Sequence, residues 1–144
     1  MTQDRISFFS KSEEETIELG KKIAKLLKSN DCLALNGEPG AGKSVLVRAI
    51  AKALDVDNEI LSPTFNIVNR YEYSGGMFNH FDVYRIKNTQ ELFETGFFEY
   101  IDDGISAVEW AEKITQVLPE NTIFIDMKYL NNGREITIRG LDIC

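Results

Sequence analysis

Small and apolar residues at Ile17, Gly20, Ala24 and Leu27 recur at helical spacing, which predicts a helix over residues 13–28. Ser12-Glu13-Glu14-Glu15 at its start has the form of a capping box, with Ser12 and Glu15 placed to satisfy backbone donors. Lys21, Lys22 and Lys25 fall on the other side and read as a solvated face. Cys32-Leu33-Ala34-Leu35 is a continuous apolar run of strand length, and Leu46, Ala49, Ile50 and Ala53 restore helical spacing over residues 45–54. The middle of the chain changes character. Residues 64–73 and 77–85 are aromatic and β-branched, with Ser74-Gly75-Gly76 between them, the pattern of a β-hairpin. If alternation holds through its second arm, His80, Asp82 and Tyr84 share one face and Phe81 and Val83 the other, with Arg85 opposite Asp82 unless a bend intervenes.

Residues 88–101 look helical around Leu92 and Phe93, with Gly96 as a stop and a second short turn after it. A strand over 105–110 and a short helix over 111–117 follow. Residues 122–130 and 134–139 then alternate about Asn131-Asn132-Gly133, a tight-turn sequence. The order is strand–helix–strand–helix, a β-rich middle, then a strand, a short helix and a final hairpin, which predicts a three-layer α/β domain with a compact sheet. At 144 residues the chain can bury roughly 70% of the surface its unfolded form would expose, so no staple is required. Its apolar runs, such as Ile123-Phe124-Ile125, are far below the about 20 residues that span a bilayer. Met1 to Ser7 has no apolar signal core. The expectation is a soluble, cytoplasmic protein of one domain, 1–144, with no membrane partner.

Charge narrows the partners. Sixteen Lys and Arg against 23 Asp and Glu give −7, whereas a protein that grips a nucleic-acid backbone alone usually presents a basic face. A role in nucleic-acid metabolism would therefore run through a partner that holds the polymer. DNA is not expected as a ligand. Two cysteines, Cys32 and Cys144, and one histidine do not make a zinc site, and both thiols read as reduced and inert.

The strongest chemical signal is Gly37-Glu38-Pro39-Gly40-Ala41-Gly42-Lys43-Ser44, a match to G-x-x-x-x-G-K-[ST] between a predicted strand and a predicted helix. Glycines let the backbone wrap phosphate oxygens, and successive N–H groups with the helix N-terminus form an anion nest. Residues Glu38 to Ser44 would bind the nucleotide, with Lys43 reaching the β- and γ-phosphates and the Ser44 hydroxyl taking one Mg²⁺ position. Neither D-x-x-G nor N-K-x-D occurs, so ATP is favoured over GTP. A second carboxylate belongs at the end of a neighbouring strand. Three candidates remain open on pattern: Asp126, which ends the most regular apolar strand, then Glu109 and Asp82.

Several segments together resemble the TsaE family, small P-loop ATPases of bacterial tRNA threonylcarbamoyladenosine synthesis. They are the helix opening Ser12 to Leu19, the phosphate loop, Ser62-Pro63-Thr64-Phe65 running on to Tyr71-Glu72, His80-x-Asp82-x-Tyr84-Arg85, Gly96, Val108-Glu109-Trp110 and Gly133-Arg134-Glu135-Ile136-Thr137. The resemblance covers nearly the whole chain. It implies a P-loop NTPase-like domain, with helices on both faces of a central sheet, that binds ATP and Mg²⁺. It also implies Ser44 and Glu109 as metal ligands and Asp82 as a catalytic acid beside Lys43. Thr64 would sit in a switch-like loop near the γ-phosphate, Arg134 near the adenine end, and Trp110 beside the nucleotide. Asp126 becomes a structural residue, and His80 keeps a supporting role. The implied partners are TsaB and TsaD, which would hold the tRNA and carry out the transfer. Pro39, Ser44 and Ala111 stand where the family commonly has leucine, threonine and proline. Two other readings stay open: a small-molecule or nucleoside kinase, although no arginine-rich lid follows the middle helices, and a nucleotide-dependent binding module without useful turnover.

Overall fold

A computed structural model describes residues 5–38, 42–57, 60, 63 and 67–143. From the N-terminus run β1 (Arg5–Ser10), α1 (Glu13–Leu26), β2 (Cys32–Gly37), α2 (Lys43–Ala53), β3 (Val68–Tyr73), β4 (Gly76–Asp82), α3 (Thr89–Glu94), α4 (Phe97–Tyr100) and β5 (Ile105–Glu109). A 3₁₀ segment over Ala111–Val117 leads to β6 (Ile123–Leu130) and β7 (Gly133–Arg139). The strands form one seven-stranded sheet in the order β1-β7-β6-β2-β5-β4-β3. Its centre, β6-β2-β5-β4, is parallel; at one side β7 pairs antiparallel with β6 and β1 antiparallel with β7, and at the other β3 pairs antiparallel with β4.

The local reasons are legible. Ser12 is extended at φ −154° and its hydroxyl accepts the Glu15 N–H at 3.2 Å, while the Glu15 carboxylate accepts the Lys11 N–H at 2.8 Å. Glu13, Glu14 and Glu15 also place negative charge at the positive end of the α1 dipole. The helix stops at Leu26, two residues short of the predicted end, because Leu27 turns extended at ψ 146°. The helical stretch over 88–101 stops at Gly96 and resumes as a short turn, as predicted, giving α3 and α4; the Gly96 φ of 88° is one an L side chain disfavours. Asn88 caps the first piece by accepting the Glu91 N–H at 2.8 Å. The tight turn falls on Asn131 and Asn132. Gly133 is needed for another reason: a Cβ there would collide with the Ser10 carbonyl oxygen of β1.

Two predicted strands end early. The arm predicted over 77–85 stops at Asp82, and Tyr84 and Arg85 form a turn, so the bend that alternation could not foresee does intervene. The strand predicted to reach Trp110 stops at Glu109, because Trp110 is left-handed at φ 63°. Thr64, like Ser62, Pro39, Gly40, Ala41 and Cys144, lies outside the described residues.

The sheet has a core on each face. On one, Leu19 and Ile23 of α1 and Leu46, Val47 and Ile50 of α2 cover Leu33, Leu35, Ile105, Ile125 and Ile136. On the other, Leu92 of α3, Phe97 of α4 and Ile114 of the 3₁₀ segment cover Cys32, Ala34, Phe81 and Val108. This is the three-layer α/β arrangement the element order predicts. The start of β5 is pinned by Asn79, buried on β4, whose amide donates to the carbonyls of Tyr100 and Asp103 and accepts from Arg70. Arg70 closes the set with an ion pair to Asp103 at 2.6 Å.

α1 and α2 cross at Gly20, where an added Cβ would come within 2.7 Å of Ala49 Cβ. Gly20→Val is expected to lower stability by about 1–3 kcal/mol through overpacking, read as a lower urea midpoint at unchanged slope. Burial pushes the Cys32 thiol up to about 12 from 9.0. A raised acid pKa stabilises the fold fully below the unfolded value, and that contribution is lost as pH rises from about 9 towards 12. In a Cys144→Ser background, iodoacetamide at pH 8 should leave the mass of the native protein unchanged and add one adduct after unfolding in urea.

Candidate functional site

The site begins where β2 leaves the sheet. Gly37 ends the strand, Glu38 is exposed, and Gly42 returns the chain at φ 99° as the N-cap of α2. Lys43 and Ser44 are the first two helical residues. A helix start leaves backbone N–H groups without intrahelical acceptors and carries positive partial charge. The first turn of α2 contains no acid, whereas that of α1 contains three, so only the α2 terminus keeps its full attraction for an anion. Lys43 is only 7% exposed. Its Nζ donates to the Gly37 carbonyl at 2.6 Å and lies 4.5 Å from the centre of the Trp110 ring. The Ser44 side chain is exposed.

The three candidate acids separate by sheet face. Ile105 and Ala107 of β5 belong to the core under α1 and α2, so alternation turns Glu109 towards that side. Phe78 fixes the same face for His80 and Asp82 on β4, and Asp82 pairs directly with Glu109 at the carboxyl end of the two parallel strands. On β6 the same core takes Ile123, Ile125 and Met127, which leaves Asp126 on the opposite face. There its carboxylate accepts from the Asn36 amide at 3.0 Å, while Asn36 Oδ1 accepts the Glu112 N–H at 3.1 Å. The pattern's first candidate is thus separated from the α2 terminus by the sheet itself, and Glu109 and Asp82 are not.

Glu109 is buried and its Oε2 accepts from His80 Nε2 at 2.6 Å. Asp82 is half-buried, and its Oδ1 accepts the Tyr84 N–H at 3.0 Å, so the same side chain faces the site and turns the chain out of β4. Arg85 is exposed in that turn. Trp110 stacks on Tyr84 with ring centres 4.7 Å apart, and Lys113 Nζ lies 5.2 Å from the Tyr84 ring centre. Lys43, Trp110, Tyr84 and Lys113 therefore alternate as cation, ring, ring, cation. Sequence reading named Trp110 but not this stack, which depends on the turn at Tyr84.

Arg134 on β7 stacks its guanidinium 4.3 Å from the Tyr129 ring centre. It lines a cavity of about 210 Å³ that also holds Ser10, Ser12, Thr16, Gly42 and Val45. Ser10 and Thr16 share a 2.7 Å hydroxyl hydrogen bond there. Of these, the sequence reading gave Ser12 only as a helix cap and did not single out Ser10 or Thr16, because the edge strand β1 brings them here only in the folded sheet. Among the described residues no three His, Cys, Asp or Glu side chains converge as a metal site. A cation at a phosphate site needs only one or two protein oxygens, the rest coming from phosphates and water. Ser44 and Glu109 offer hard oxygen donors of the kind Mg²⁺ takes. No described helix is long and apolar enough to cross a membrane.

Fold and site define a class: a three-layer α/β protein whose central strand runs through a phosphate-loop sequence into a helix, with an acid ending the adjacent strand. Within that class the chain belongs to the TsaE family, described as threonylcarbamoyl adenosine biosynthesis protein TsaE, whose family model matches residues 10–136. The protein named tRNA threonylcarbamoyladenosine biosynthesis protein TsaE in Rickettsia conorii is 39% identical over 126 residues, covering 87% of this chain and 72% of the relative. Its namesake in Aquifex aeolicus is 44% identical over 104 residues, covering 71% and 74%. The crystal structure of Bacillus subtilis YdiB superposes with a TM-score of 0.82 at 28% identity, covering 99% of this chain and 89% of that one.

Proposed function

We propose that this protein is a Mg²⁺-dependent ATP-binding and ATP-hydrolysing subunit that acts with TsaB and TsaD in forming threonylcarbamoyladenosine on tRNA, and is not itself the transferase. The observation that carries the reading is the pairing of an acid-free α2 terminus, with Lys43 at its first position, and Glu109 at the end of the adjacent parallel strand on the same sheet face. The negative overall charge supports leaving the tRNA to partners.

In this reading the α2 N–H groups and Lys43 hold the phosphates, and Lys43 exchanges its Gly37 carbonyl acceptor for phosphate oxygens. The Ser44 hydroxyl and the Glu109 carboxylate hold Mg²⁺, which when bound neutralises charge on the β- and γ-phosphates. Asp82, at the same end of the sheet, orients the attacking water or the metal's water shell. Thr64 senses the γ-phosphate. Glu38, Pro39, Gly40, Ala41 and Gly42 supply loop backbone to the phosphates. Arg134 and the cavity beside Gly42 take the adenosine end. Most of the acceleration comes from positioning and charge neutralisation, and turnover is weak until a partner completes the site.

Phosphate release from ATP, measured with and without the TsaB–TsaD pair, should rise with the pair and fall by about 100-fold or more in Lys43→Ala. Normal ATP binding and hydrolysis by Lys43→Ala would overturn the mechanism. The sheet faces give a second prediction: Glu109→Gln should raise the Mg²⁺ concentration for half-maximal turnover at least about tenfold, while Asp126→Asn leaves it unchanged.

A further inference from the structure

His80 and Glu109 are 2% and 6% exposed, on adjacent parallel strands, and their side chains meet at 2.6 Å. The strand register explains how. His80 lies opposite Ala107, and that small buried side chain leaves room for the imidazole to reach two positions along β5 to Glu109. Both strand ends are locked, because the Val83 N–H donates to the Glu109 carbonyl at 3.2 Å. A carboxylate accepts only, so the ring donates through Nε2–H and occupies Oε2 alone. The other ring nitrogen, Nδ1, is buried with no hydrogen-bond partner among the described residues.

A residue kept only for packing would fill this space with apolar atoms and offer Glu109 no donor. His80 commits one bond, to the one buried acid at the α2 side of β5. A glutamate has three side-chain torsions, and a fixed donor on one oxygen selects among its rotamers before any ligand arrives.

We propose that His80 is a positioning residue: its Nε2–H holds the Glu109 carboxylate by Oε2 and so keeps Oε1 for the cation. This rests on the reading of Glu109 as a metal ligand. Partners outside the first coordination sphere typically tune metal affinity 10–100-fold.

The test is a Mn²⁺ titration of the full-length protein bound to AMP-PNP, a non-hydrolysable ATP analogue, following free Mn²⁺ by electron paramagnetic resonance. Analogue affinity in EDTA and the thermal midpoint are measured alongside. His80→Ala is expected to weaken Mn²⁺ binding about 10–100-fold with analogue affinity in EDTA unchanged. His80→Gln, whose amide N–H can stand in for Nε2–H, should recover most of it. His80→Asn, whose shorter amide stands in for Nδ1, should not, and the Gln–Asn contrast carries the test if the alanine variant fails to fold. Wild-type Mn²⁺ affinity in both His80→Ala and His80→Asn, or equal impairment in Gln and Asn, overturns the proposal. Glu109→Gln separates the two failures. If it binds Mn²⁺ like the wild type, the metal reading falls and this inference with it. If it binds weakly while the His80 variants do not, only the inference about His80 falls.

Discussion

Four consecutive residues of β2, Cys32 to Leu35, are removed from water because the strand is sandwiched between helices on both faces and flanked by parallel strands on both edges. Every backbone donor and acceptor of such a strand must be met within the sheet. The chain leaves at its carboxyl end, between the ends of β5 and β6. Parallel neighbours point their own carboxyl ends to the same place, so Glu109, Asp82 and the start of α2 converge without long-range design beyond the strand order. The packing of one strand thus decides where chemistry can occur.

Local electrostatics run against the overall charge. The chain is acidic at −7, yet α2 opens without an acid and gathers Lys43, with Arg134 lining the cavity beside Gly42. Lys43 is buried at little electrostatic cost, since a carbonyl accepts from it and an aromatic face lies against it. An isolated buried ammonium would be costly. One with a carbonyl acceptor and an indole face is stored, close to where its charge would serve an anion.

The junction after Glu109 shows how strain and stacking combine. Trp110 is one of only three non-glycine residues with positive φ among those described. Such a backbone costs on the order of 1–3 kcal/mol unless the surroundings over-determine it. Here they do, because the left-handed turn ends β5 at the acid and swings the indole between Lys43 and Tyr84. The turn at Tyr84 is itself held by Asp82. Two strand ends, each cut one or more residues short of its pattern, build the aromatic stack together.

Much of this was legible beforehand. Periodicity alone located α1, α2 and the final hairpin, since each has a face or an alternation that only one geometry buries. The phosphate-loop sequence named Lys43 and Ser44, because close phosphate approach requires those residue types at that spacing. Alternation also set Asp126 opposite Ile123, Ile125 and Met127, but its strand pattern had put it first and only the family resemblance demoted it. What alternation did not say was which face α2 covers. That, the approach of β1 to Gly133, the left-handed Trp110, and the bond from His80 to Glu109 belong to the tertiary structure. Each depends on which strands become neighbours, and strand order is set by the burial of the whole sheet rather than by any segment's own pattern.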